Sequence, residues 1–169
     1  MINLMMSVAV CAAAPLAHPT NLTEFAPDVA GVPVENVEDG WLTVRTTAYT
    51  HTESDHTKYG RKTAAGGTLK FGKRRSAAAD WSKFPLGTEF QIKGDPSIYV
   101  VEDYGSALVG KNTIDLYRPT RASMNKWGCR RVPIRILKWG CFEKSHSIMR
   151  HRTHNKFVRR MVQAIRSRA

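Results

Sequence analysis

The stretch that decides the fold is Ser97-Ile-Tyr-Val-Val-Glu-Asp-Tyr-Gly-Ser-Ala-Leu-Val-Gly-Lys-Asn-Thr-Ile-Asp-Leu-Tyr-Arg118. It opens on a β-branched and aromatic run, Ile98 to Val101, which predicts a buried strand. The run ends on two carboxylates, Glu102 and Asp103, and a turn segment punctuated by Gly105 and Gly110 follows. Thr113 to Tyr117 then predicts a second short strand. In an extended segment alternate side chains share a face, so Ile114 and Leu116 point one way and Asp115 and Tyr117 the other. One side of that strand suits a core, and the other offers an acid and a ring. Asp103, followed by Tyr104 and Gly105, has the surroundings of a turn-capping carboxylate as much as those of a reactive one. Asp115 has no turn residue within two positions after it, so capping accounts for it less well.

Outward from this stretch the chain reads as a string of short strands. Trp41 to Tyr49 alternates and is rich in β-formers. Thr88 to Lys93 alternates polar and apolar, as a half-buried strand does. Thr68 to Phe71 and Ser76 to Ala79 have the length of short strands, and Gly94-Asp95-Pro96 turns the chain. Pro119 to Trp127 predicts the one helix of the body, with proline in its first turn and Gly128 just past its end. Val132 to Trp139 predicts a closing strand, and Pro133 places the first part of it away from the centre of a ladder. Many short strands with one helix favour a mainly β fold closed into a small barrel, which removes exposed edges.

A length of 169 residues suits a single domain with extensions, and 42% hydrophobic content is enough for a core. The formal charge of +12 predicts anionic surroundings: nucleic acid, anionic lipid or an acidic wall polymer. Residues 1–17 form an apolar run with small residues near Cys11-Ala12-Ala13, the composition of a secretory signal peptide, although no Lys or Arg opens it. A short buried element is the other reading, and Val10 argues against a lipoprotein site at Cys11. Residues 18–40, with Pro19, Pro27, Pro33 and five acids, read as a linker before a barrel at 41–141. Residues 142–169 hold eight Lys or Arg against one acid, Glu143, while Phe157, Val158, Met161, Val162 and Ile165 recur at helical spacing. This basic amphipathic tail has two readings. Its stripe packs on the barrel, or it anchors the protein on an anionic membrane or wall polymer. No aromatic platform or nucleic-acid motif accompanies the charge, so no specific nucleic acid is expected.

Cys129 and Cys141 flank the closing strand. A continuous strand of that length holds them roughly 35 Å apart, beyond the reach of a disulfide. Neither has ligand-like spacing to histidine. His51 and His56 flank Glu53 and Asp55 without the frame of a metal site, and neither a metal nor another cofactor is expected.

Two parts of the central stretch, Val101-Glu-Asp-Tyr-Gly and Gly110-Lys-Asn-Thr-Ile-Asp-Leu-Tyr, resemble the signature of the three-aspartate (3D) domain. This is the barrel of murein lytic transglycosylase A and of several secreted cell-wall proteins. Thr47-Ala48-Tyr49 resembles the family's opening strand, and Thr63-Ala64-Ala65-Gly66 its Thr-Ala-x-Gly motif. Ala77-Ala78-Ala79-Asp80 with Phe84-Pro85-Leu86-Gly87-Thr88 resembles the segment of its first aspartate. The likeness covers roughly Leu42 to Leu137 in family order. It departs where the family has Asp-Thr-Gly-Gly and this chain has Asp103-Tyr104-Gly105-Ser106, which bears on the shape of a groove.

The resemblance implies a six-stranded double-psi β-barrel, with the short internal helix and a basic C-terminal helix outside it. It also implies a secreted, periplasmic or wall-associated protein whose partner is the peptidoglycan glycan strand. The implied reaction is cleavage of the MurNAc–GlcNAc bond with closure of a 1,6-anhydro ring. Because the sugar's own C6 hydroxyl attacks, one carboxyl can make both proton transfers. That carboxyl must begin protonated, which burial or a nearby like charge favours. Carried over residue by residue, Asp115 is the acid/base and Asp103 its neighbouring carboxylate. Thr63 and Gly66 line the groove, and Tyr49 and Tyr117 are rings for sugar stacking or for the core. Asp80 either faces substrate or holds the barrel by backbone hydrogen bonds. The alternative is a barrel that binds peptidoglycan or another polysaccharide without cutting it, since fold does not fix function.

Overall fold

The computed structural model describes residues 40–53, 57 and 59–168. The 1–17 segment and nearly all of 18–40 therefore lie outside the described residues. Six strands form: β1 (Leu42–Tyr49), β2 (Arg74–Ala78), β3 (Glu89–Ile92), β4 (Ile98–Asp103), β5 (Thr113–Tyr117) and β6 (Arg130–Lys138). Five are alternating or β-branched runs, β2 is the small-residue run Arg-Arg-Ser-Ala-Ala, and Thr68–Phe71 makes only isolated bridges. The six strands close into a barrel in the order β1-β5-β2-β4-β3-β6. The β1–β5 and β2–β4 pairs are parallel and the other four are antiparallel. Parallel neighbours need long crossovers, and two of them within one six-stranded closed sheet give the double-psi β-barrel.

Local chemistry matches this arrangement. Pro133 pairs with Thr43 of β1, whereas the β3 register on β6 begins only at Ile134. Its missing N–H therefore interrupts no second ladder. The body helix, α1 (Arg121–Trp127), starts in a capping box between Thr120 and Ser123 and ends on Gly128 at φ 63°. Val44, Ala77, Val101, Ile114, Leu116 and Ile134 make the barrel core.

The tail departs from the single helix read from the sequence. It forms two, α2 (Phe142–Met149) and α3 (Lys156–Arg166), joined through a 3₁₀ turn at Arg150–Arg152. The first helix buries only Ser145 and Met149, so its periodicity is thin. The second buries Val158, Met161, Val162 and Ile165 in the cluster that contains Trp81 and Phe84 of the barrel domain. At roughly 1.5–3 kcal/mol per buried aliphatic side chain, this docking is a substantial part of the fold's stability. The apolar stripe that a lipid anchor needs is thus already covered, while Arg159, Arg160 and Arg166 remain exposed. Among the described residues, no helix is long and apolar enough to cross a membrane.

The Phe84–Thr88 motif stitches this tail to the barrel. Cys141 N donates to Leu86 O (3.0 Å), Leu86 N to Ser145 Oγ (2.9 Å) and Gly140 N to Thr88 Oγ1 (3.1 Å). Both Cys129 and Cys141 are free thiols.

Candidate functional site

Strand β2 runs between β4 and β5, and the site is organised about its Ala78. Ala78 is in register with Asp103 of β4 on one side and Asp115 of β5 on the other. Asp115 in turn sits opposite Thr47 of β1. Residues directly opposite on neighbouring strands share a face. Neighbouring strands lie about 4.8 Å apart, so the two aspartate Cα atoms are roughly 10 Å apart across one alanine methyl.

A β-bulge makes this possible. Ala77 pairs with Val101 but Ala78 pairs with Asp103, so Glu102 is an extra residue in β4. In unbroken alternation Asp103 would follow Val101 and Tyr99 into the core. The bulge turns it to the face of Ala78 and Asp115, as bulges beside functional sites do. Glu102, on the same side, accepts from Ser76 Oγ and pairs with Lys70 Nζ at 3.2 Å.

Each aspartate is held. Asp103 Oδ1 accepts from the backbone N–H of Ala64 (3.1 Å) and of Tyr104 (2.9 Å). Its own carbonyl accepts from Trp81 Nε1 at 2.8 Å, which fixes the strand end. Thr47 Oγ1 donates to Asp115 Oδ1 at 2.7 Å. Tyr49 Oη lies 3.5 Å from Asp103 Oδ2. Burial, then the charges of Asp103 and Asp115, push the Tyr49 hydroxyl well above its ordinary pKa, so it stays a neutral donor at working pH.

These groups border a cavity of about 730 Å³, within the range of small-molecule sites. Five of the residues singled out from the sequence meet on it: Asp103, Asp115, Tyr49, Thr63 and Gly66. Thr63 Oγ1 accepts from Gly67 N (3.0 Å), closing the turn that carries Ala64 to Asp103. Gly66 occupies φ +89°, a conformation costly for any other residue.

The other two residues lie away from the wall. Tyr117 is fully buried, its hydroxyl 2.9 Å from His51 Nδ1 and its ring 5.7 Å from that of Tyr49. Asp80, 1% exposed, accepts from Ser82 N, Ser82 Oγ and Gly110 N at 2.6–2.8 Å and ties two loops together. Among the described residues no group of three His, Cys, Asp or Glu is arranged around a metal ion, and His56 and Asp55 lie outside them.

The structure adds residues to the site: Thr47, the hydrogen-bond partner of Asp115, and the wall residues Tyr104, Arg152 and His154. Thr47 could have been found from alternation, since it shares a face with Tyr49. Tyr104 is visible in the sequence only as a departure from the family pattern that bears on groove shape, and Arg152 and His154 could not be found because they come from the tail. Tyr104, like Ser106, departs from the pattern Asp-Thr-Gly-Gly. Its ring packs edge-on to Trp81 (4.9 Å), and its hydroxyl accepts from Arg152 Nη1 at 3.3 Å.

The buried tyrosines give a stability prediction. Burial raises the pKa of Tyr49, Tyr99 and Tyr117 in the fold. Below the unfolded value of about 10, both states hold these protons and nothing is lost. Above it, the unfolded chain releases protons that the fold retains, so stability falls as pH rises, by up to about 1.4 kcal/mol per pH unit per retained proton. Urea midpoints should be flat from pH 8 to 9.5 and drop between pH 10 and 11.5. A midpoint constant across that upper window contradicts the assignment.

Comparison with known proteins converges on the same segment. Residues 75–138, from β2 to the end of β6, match the model of the 3D domain. The "Putative cell wall shaping protein YabE" of Bacillus subtilis (strain 168) is 35% identical over 97 residues, which is 57% of this chain. The chain spans 23% of that relative's length.

Proposed function

We propose that the chain, whose residues 75–138 match the 3D-domain model, is a cell-wall protein of the lytic transglycosylase type, which cuts the MurNAc–GlcNAc linkage of peptidoglycan outside the cytoplasm. The observation that carries this reading is the placement of Asp103 and Asp115 on one wall of one cavity, across Ala78.

In this reaction Asp115, protonated at the start, gives its proton to the glycosidic oxygen as the bond from the anomeric carbon breaks. The C6 hydroxyl of the same sugar bonds to the anomeric carbon and closes the anhydro ring. Its proton returns to Asp115, so no water is consumed. Asp103, held by two backbone N–H donors and beside the Tyr49 hydroxyl, supplies negative charge against the oxocarbenium-like transition state. Thr47 fixes the rotamer of Asp115.

Digestion of purified peptidoglycan, with products identified by mass, tests the proposal. Anhydro-muropeptides support it. Reducing-end products point to hydrolysis, and polymer bound without soluble sugar makes the barrel a binding module. Thr47→Val should keep the fold and KM while lowering kcat about 2–10-fold, the scale of one hydrogen bond to a neutral carboxyl. An unchanged kcat removes Thr47 from the mechanism.

A further inference from the structure

We infer that the turn between the two tail helices forms an anion subsite of the groove, which takes a carboxylate carried by the glycan. This rests on the proposed function and adds to it the chemistry of the substituent that the groove selects.

The groove brings carboxylates and a guanidinium onto facing walls, with Lys62 also on the barrel side. Asp103 and Asp115 stand on the barrel side, while Arg152 and His154 come from the tail. Arg152 is half-buried, and its Nη1 donates to Ala64 O (2.9 Å) and Tyr104 Oη (3.3 Å). Both acceptors are neutral, and Arg152 has no ion pair among the described residues. A guanidinium fixed at one nitrogen by neutral oxygens keeps its full charge. The rest of its planar fork is pre-oriented for a second partner, the geometry that recognises carboxylates. Exposed His154 and the Asn155 cap of α3 border the same space. The contacts also couple the two walls: Ala64 accepts from Arg152 through its carbonyl and donates to Asp103 through its N–H.

A carboxylate near the scissile bond of such a polymer has two sources: the lactyl group of the sugar, or the peptide stem attached to it. Three probes separate them. Peptide-bearing glycan strands carry stem carboxylates, amidase-stripped strands carry free lactyl carboxylates, and chitin oligomers carry neither. Binding is measured on the full chain in the Asp115→Asn background, so cleavage does not deplete the probe.

The expected result is about tenfold tighter binding to at least one carboxylate-bearing strand than to chitin, the scale of one charge-assisted contact, weakened by salt. The better of the two strands identifies the source. Arg152→Gln should bring that ratio close to one. Arg152→Lys should restore part of it, which a purely structural role for Arg152 would not predict. Equal binding to all three probes, or a ratio unmoved in Arg152→Gln, overturns the subsite even if the parent protein releases anhydro sugars. Failure of the parent to bind or cut any glycan overturns the functional reading and the subsite together.

Discussion

If the proposed reaction holds, Asp115→Asn should yield a folded protein that releases no anhydro-muropeptides from peptidoglycan, with activity down at least about 10³-fold, the upper range for loss of a general acid/base. The substitution is close to isosteric. Asn retains a side-chain oxygen to accept from Thr47 Oγ1, which now bonds Asp115 Oδ1 at 2.7 Å. What it removes is the transferable proton. The half-buried position and an intact register with Thr47 and Ala78 predict a melting temperature within a few degrees of the parent. Asp103→Asn is the informative companion. The backbone N–H groups of Ala64 and Tyr104 still find an oxygen, but the negative charge is gone. Binding should survive in both variants, and catalysis should fall further in the first. Should Asp115→Asn digest peptidoglycan at the parent rate, Asp115 is not the proton carrier, and the shared wall with Asp103 would then serve recognition alone.

How far the sequence went depends on the range of the signal. Five of the strands came from local alternation and β-branched runs, and the body helix from Pro119 and Gly128, because these cues act within a few residues. The apolar stripe of α3 was equally visible, since its four buried positions repeat at helical spacing. The shared face of Ile114 and Leu116 was read correctly from period two. The face of Asp103 was not legible in this way. Alternation from Tyr99 and Val101 sends it to the core, and only the register slip at Glu102 brings it round to Asp115. A bulge is a property of the pairing between two strands, and no single strand encodes it. The tail's part in the groove was hidden for the same reason. Arg152 lies 48 residues from Tyr104 and 88 from Ala64, and those contacts exist only once α2 and α3 have packed. The family motif Phe84-Pro85-Leu86-Gly87-Thr88 reads locally as a turn. Its larger role, receiving the chain as it leaves β6, appears only in the fold.

That last contact carries the second large prediction. Gly140→Ala should destabilise the protein by about 3 kcal/mol or more, the upper part of the range for overpacking. A methyl at Gly140 would lie 2.3 Å from Pro85 O, 2.4 Å from Leu86 O and 2.6 Å from Thr88 N. All three are backbone atoms of the Phe84–Thr88 motif, so no side chain can swing aside. Relief requires the 140–141 segment to lift. That costs the Gly140–Thr88 and Cys141–Leu86 hydrogen bonds and disturbs the entry to α2. For a domain of this size the melting temperature should fall by roughly 10 °C. Because α2 leads into the turn bearing Arg152, activity per folded molecule should also fall. Gly72→Ala is the control: nothing lies within 4 Å of its added methyl and its φ is not positive, so stability should stay within about 0.5 kcal/mol of the parent. If Gly140→Ala melts with the parent, the β6 exit does not press on the Phe84–Thr88 turn. The tail would then owe its place to the apolar stripe of α3 together with the Leu86–Ser145 and Arg152 contacts.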